Sequence, residues 1–195
     1  MSLCKQISQQ ESEQTMVYLF LANGCEEIEA LMPLDILRRG GVAVTTVAVG
    51  GADAVVGSHG IRICADIPDT LFRDASPEAV ILPGGMPGSE NLAASKTVCD
   101  ALKVTAKSGG LLCAICAAPM VLGKYGYLNG KTAICYPGFE KTLTGAKISE
   151  KKVVRDGNII TAAGMGVALD FGFEILKALK GSDAAERVRR AILAD

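Results

Sequence analysis

The residues best placed for covalent chemistry lie in Leu111-Leu112-Cys113-Ala114-Ile115-Cys116-Ala117-Ala118-Pro119-Met120. The apolar run follows a glycine pair and suits a strand buried on both faces. Pro119 suits the first turn of a helix, where no backbone donor is needed. Cys116 therefore falls at the turn itself. Unpaired N–H groups and the positive end of a helix dipole favour an anion there and can lower a thiol pKa from about 8.5 to between about 3.5 and 7.5. Two readings follow: a nucleophile on a strand–turn–helix elbow, or one more cysteine buried as a small apolar residue.

Other residues could contribute. Glu26, Glu27 and Glu29 open a helical pattern, where acids simply complement the dipole. Gly84-Gly85, within Pro83-Gly84-Gly85-Met86-Pro87-Gly88, read as a turn or as amides able to stabilise an oxyanion. His59, the single histidine, reads as a solvated surface residue. Cys113 and Cys116 have C-x-x-C spacing, but Cys113 falls inside the buried strand, which disfavours a redox dithiol. Cys25, Cys64, Cys99 and Cys135 read as structural.

The elements that would position these groups alternate. Met16 to Ala22 is a strand; Asn23-Gly24 punctuates it before a helix with apolar positions at Ile28, Leu31, Met32 and Ile36, kinked at Pro33 and stopped by Gly40-Gly41. Val42 to Val49 is a second strand, and Gly50 to Asp69 a small hairpin on the sheet edge. Ala79 to Leu82 is a buried strand, and Ser89 to Lys107 is helical with a break near Ser95. Beyond Cys116, strands are predicted at 131–135, 153–154 and 159–163. A long helix opens at Gly164-Met165-Gly166, and a last one covers 183–193. Such alternation predicts an α/β fold with a mostly parallel sheet, helices on both faces and ligands at the carboxyl ends of the strands.

The chain has 195 residues, 20 basic and 21 acidic, and is 49% hydrophobic, which fits one compact domain over 16–195 after a polar mobile leader at 1–15. Balanced charge gives no footprint for nucleic acid or a membrane surface. No run reaches the roughly 18 to 20 apolar residues that span a bilayer, and no signal peptide is evident, which predicts a cytoplasmic protein. Seven cysteines without disulfide-framework or zinc-finger spacing suit reduced thiols and no metal.

Gly24-Cys25-Glu26-Glu27-Ile28-Glu29-Ala30, Leu82-Pro83-Gly84-Gly85, Ala114-Ile115-Cys116-Ala117-Ala118-Pro119 and Ala163-Gly164-Met165-Gly166 leading into Asp170-Phe171 together resemble the DJ-1/PfpI superfamily, and more narrowly its DJ-1/ThiJ branch. The resemblance runs from about residue 16 to the C-terminus. It implies a flavodoxin-like, doubly wound fold, akin to class I glutamine amidotransferases, in a homodimer without cofactor. Cys116 would be the reactive thiol and Glu29 a protonated carboxyl beside it. The amides of Gly85 and Ala117, with Gly84, would form the oxyanion region, and Gly164 and Met165 would line the pocket.

Tyr136 stands where many relatives carry a histidine, and Ala117 where the PfpI proteases carry one. No histidine follows Cys116, so a Cys-His protease or amidotransferase mechanism has no base. The resemblance then implies action on small reactive aldehydes such as methylglyoxal, or on their adducts, as a glutathione-independent glyoxalase or deglycase. The alternative is a non-enzymatic sensor or chaperone that uses oxidation of Cys116. Thiamine biosynthesis, suggested only by the ThiJ name, has no motif to support it.

Overall fold

The computed structural model describes residues 16–73 and 76–194; the leader at 1–15, with Cys4, lies outside the described residues. Seven strands form the central sheet: β1 (Val17–Leu21), β2 (Val44–Ala48), β5 (Ile67–Pro68), β6 (Ala79–Leu82), β7 (Leu111–Ile115), β10 (Val153–Asp156) and β11 (Ile159–Ala162). Their order is β10-β11-β7-β6-β1-β2-β5. All neighbours are parallel except β10, which runs antiparallel to β11 at one edge.

Strand alternation divides the core in two. Val17, Leu19 and Leu21 of β1 join Ile36 and Leu37 of helix α1 (Glu27–Arg39) and Phe171, Ile175 and Leu176 of α5 (Ala168–Lys180) on one face. Helix α6 (Ser182–Ala191) covers the same side through Val188. Tyr18 and Phe20 turn to the other face, against Leu92 of α2 (Gly88–Ala94), Val98 and Leu102 of α3 (Lys96–Ser108) and Val121 and Leu122 of α4 (Pro119–Lys124). With both faces covered, every β1 residue is buried, which is why these strands read as unbroken apolar runs.

Ser95 breaks the helical stretch as expected, ending α2 and capping α3 through its side chain, which accepts from the Val98 N–H. Helix α1 continues through Pro33, packed against α5, where a Cβ on Gly172 would lie 3.1 Å from the Pro33 Cα.

Three expectations are corrected. Residues 54–64 do form a hairpin, β3 (Ala54–Val56) with β4 (Arg62–Cys64), but as a separate two-stranded sheet; the edge of the central sheet is β5. In 131–135 only Thr132–Ala133 (β8) pairs, with Lys147–Ile148 (β9), also outside the central sheet. After Gly164 the chain makes a 3-10 turn over Met165–Val167 before α5 begins.

Candidate functional site

From β1 in the middle of the sheet the chain runs outward through β2 and returns to build β6, β7 and β11 on the other side of β1. The crevice at this reversal of strand order, outside the carboxyl ends of β1, β6 and β7, is where open α/β sheets bind ligands. Three loops meet there: Asn23–Glu26 into α1, Pro83–Pro87 into α2, and the Cys116 elbow into α4.

Cys116 has φ 63°, in the left-handed region that non-glycine residues rarely occupy. The elbow is held on both sides: the Cys116 N–H donates to the Ala162 carbonyl (2.9 Å), and its own carbonyl accepts from the Tyr136 N–H (2.8 Å). Pro119 occupies the first turn of α4, as the sequence predicts.

Glu29 lies in the first turn of α1 with 1% of its surface exposed. Its Oε2 accepts from the Gly84 N–H (3.1 Å), and the carboxyl also bonds the Met165 backbone and the Cys116 thiol. Burial above all pushes its pKa up to about 7. The Cys116 thiol is itself pushed up to about 12, first by burial, then by the charge and hydrogen bond of Glu29, against the pull of the Gly85 and Ala117 backbone N–H groups. The expectation of a depressed thiol is corrected: a six-residue helix offers a short dipole, and the buried carboxyl beside the sulfur outweighs it. Thiol and carboxyl titrate as a pair that gives up one proton near 7 and holds the second to about 12.

Close packing explains the glycines. A Cβ on Gly84 would lie 2.5 Å from Glu29 Oε2 and 2.6 Å from the Cys116 Cβ. Gly85 has φ 85°, and its Cβ would lie 2.4 Å from the Glu26 N. Gly164 passes behind Tyr136, where a Cβ would be 3.3 Å from the ring and 3.9 Å from Glu29 Oε1. Tyr136, Met165 and Met86 are large side chains left substantially exposed. The structure thus brings Cys116, Glu29, Gly84, Gly85, Ala117 and Met165 together, with Gly164 and Tyr136 beside them.

The acidic trio divides by role. Glu26 caps α1, its Oε2 accepting from the Glu29 N–H (2.6 Å). Glu27 is buried and accepts from the His59 N–H (2.8 Å), with His59 Nδ1 at 2.8 Å and the Ser58 Oγ at 3.3 Å. The sequence carries no local sign of this pairing across 32 residues; only the singularity of His59 points to it. Donor atoms of Glu26, Glu27 and His59 lie within 4.8 Å of one another, but their hydrogen bonds are engaged with each other and with α1, so the arrangement reads as an ion pair rather than a cation cage.

Among the other cysteines, Cys113 is buried in β7 with its thiol raised far above the ordinary range by desolvation, which leaves a dithiol no reactive partner. Cys25 and Cys135 are buried and each pushed up to about 11, chiefly by desolvation. Cys64 is exposed, turned outward from β4, and Cys99 is half-buried beside Tyr125.

The sequence profile of the DJ-1/PfpI family matches residues 15–178, most of the chain. The chain belongs to the DJ-1/PfpI family. It is 37% identical over 180 residues to protein dj-1beta of Drosophila melanogaster, covering 90% of this chain and 95% of that one. It is 32% identical over 173 residues to the glutathione-independent glyoxalase DJR-1.2 of Caenorhabditis elegans, covering 88% and 92%. The solved structure of oxidized Toxoplasma gondii DJ-1 superposes with a TM-score of 0.88 at 30% identity, covering 92% and 98%. The fold is flavodoxin-like, as in these DJ-1 structures. Among the described residues, no helix is long and apolar enough to cross a membrane.

Proposed function

We propose that this protein is a cysteine-dependent enzyme acting on small reactive aldehydes or their adducts, with Cys116 as nucleophile and Glu29 as proton relay. The observation that carries this reading is the buried Glu29 carboxyl hydrogen-bonded to the Cys116 thiol, with the Gly85 and Ala117 N–H groups directed at the same sulfur. A pair that loses one proton near 7 can place that charge on sulfur, where two amides favour it, and keep the remaining proton on the carboxyl for transfer.

With methylglyoxal, sulfur bonds to the aldehyde carbon and the carbonyl oxygen takes the proton to give a hemithioacetal. Glu29 then moves a proton from that carbon to the neighbouring carbonyl side, oxidising one carbon and reducing the other. Water cleaves the resulting thioester to lactate and frees the thiol, so the sum is aldehyde plus water with no external oxidant or reductant. The name of the glyoxalase relative from Caenorhabditis elegans supports this substrate class. Ala117 after the nucleophile, and the lack of any later histidine, argue against peptide hydrolysis.

The test is hydroxy-acid formation from methylglyoxal without glutathione, compared with Cys116→Ser. Turnover lost in the variant is expected; turnover equal to wild type, or none in wild type, refutes the reading. In the second case a sensor role for Cys116 is the reading that remains, supported by the oxidized state of the Toxoplasma gondii relative. We further propose a homodimer through α1 and the β3–β4 hairpin, where Ile28, Leu31, Val56 and Ile61 are large apolar side chains left exposed.

A further inference from the structure

We propose that His59 and Glu27 form a proton-dependent latch that holds the β3–β4 hairpin against the loop carrying the Cys116 pocket, so that His59 is a positioning residue whose grip loosens as pH rises. The proposal deepens the reading of Cys116 as the reactive centre, but the latch itself stands on independent geometry.

Glu27 is a charge-bearing side chain with only 3% of its surface exposed, and a buried carboxylate needs donors. One tight turn supplies most of them: the His59 N–H at 2.8 Å, His59 Nδ1 at 2.8 Å and the Ser58 hydroxyl at 3.3 Å, with the Ile61 backbone and Glu27's own backbone adding to them. Gly57 clears space for the carboxyl, since a Cβ there would lie 2.3 Å from Glu27 Oε1. The His59 ring, by contrast, is largely exposed on the single chain, at the turn of the hairpin proposed above for the homodimer interface.

The turn is also stitched to the preceding loop. The Ser58 N–H donates to the Cys25 carbonyl (2.8 Å), the Gly24 N–H to the Val56 carbonyl (2.8 Å), and the Val56 N–H to Asn23 Oδ1 (2.9 Å). That loop in turn holds the glycine loop: the Glu26 N–H donates to the Gly84 carbonyl (2.9 Å) and the Gly88 N–H to the Gly24 carbonyl (3.2 Å). Gly84 and Gly85 supply the amides that face Glu29 and the Cys116 sulfur. A short chain of backbone hydrogen bonds therefore connects His59 to the reactive pair.

The charged groups around His59 are Glu27 and Glu26, with Cys25 next to Glu27 on the same loop; on the hairpin, Arg62 faces Asp53 at 3.8 Å. Glu27, then Glu26, raise the His59 pKa above its ordinary 6.5, and His59 helps hold Glu27 down at about 2. The signs follow. Stabilisation from protonated His59 is whole below 6.5 and fades as pH rises through the raised value, while that from ionised Glu27 is whole above 4.5 and fades as pH falls toward 2. The latch is tightest between these limits. Above them, neutral His59 can still donate one hydrogen bond through Nδ1, so the turn loosens without detaching.

Amide hydrogen exchange of Ser58 and His59 at pH 6 and pH 8.5, corrected for intrinsic rates, tests the latch without reference to any substrate. Wild-type protection is expected to fall by about threefold or more over this range. His59→Ala should be poorly protected at both pH values, and His59→Arg, a cation throughout, should restore protection and remove its pH dependence. In parallel, the pH profile of Cys116 alkylation by iodoacetamide should change shape in His59→Ala and be recovered in His59→Arg. Equal wild-type protection at the two pH values, or undiminished protection in His59→Ala, overturns the latch. A latch that holds while methylglyoxal is not consumed leaves the latch standing and refutes the enzyme reading alone.

Discussion

Replacing Glu29 by glutamine should make the protein more stable at alkaline pH while removing its aldehyde turnover. Burial raises the Glu29 pKa from its ordinary 4.5 to about 7, so the fold disfavours the ionised form. The sign is therefore opposite to that of a salt-bridged carboxylate: folding is most favourable while the group is protonated in both states, below 4.5, and weakens as pH climbs to about 7. At about 1.36 kcal/mol for each tenfold change in proton affinity, the rise corresponds to about 3 kcal/mol. Glutamine carries no titrating proton, and its amide oxygen can still accept from the Gly84 N–H, so the variant lacks this loss. For a chain of this size, with about 2–4 °C in Tm per kcal/mol, the variant should gain about 6–12 °C on wild type between pH 4.5 and pH 8. Thermal melts followed by circular dichroism at the two pH values measure it. Parallel Tm values for the two proteins, or a variant that falls behind at pH 8, would refute the burial argument.

Gly84→Ala should destabilise by about 1–3 kcal/mol in urea unfolding, because its Cβ meets Glu29 Oε2 at 2.5 Å and the Cys116 Cβ at 2.6 Å; an unchanged midpoint would mean the site can expand at no cost. Light scattering should give about twice the 20.3 kDa chain mass, and Leu31→Glu, on the exposed face of α1, should shift the population toward monomer. The purified protein should cleave no peptide substrate, since Cys116 has no histidine beside it to protonate a leaving amine. Cleavage that vanishes in Cys116→Ser would contradict this.

Much of this fold is written in local patterns. Val17 to Leu21, Ala79 to Leu82 and Leu111 to Ile115 are apolar at every position because helices cover both faces of the sheet, and the Ser95 cap and Pro119 are local signals that context did not override. Where context decides, local reading fails. Ala133 and Cys135 are buried, but the 131–135 run reaches the core with only two residues paired in a strand, and burial alone does not distinguish strand from loop. A dipole argument predicts a depressed Cys116 thiol because it counts the helix start and not the buried carboxyl beside the sulfur, which raises it. The Glu27–His59 pairing joins residues 32 apart, a separation at which no periodicity speaks.

The left-handed backbone at Cys116 limits what can ever occupy that position. A branched side chain such as threonine or valine fits poorly at φ 63°, so the elbow can trade sulfur for the oxygen of serine but is closed to a threonine nucleophile. Glycine and asparagine, which tolerate that conformation, would relieve strain of about 1–3 kcal/mol as they delete the thiol. Random drift at this codon thus favours sturdy, inert proteins. A screen that scores abundance or melting temperature would rank such variants as healthy, and only a chemical readout of the thiol would separate them from the working form.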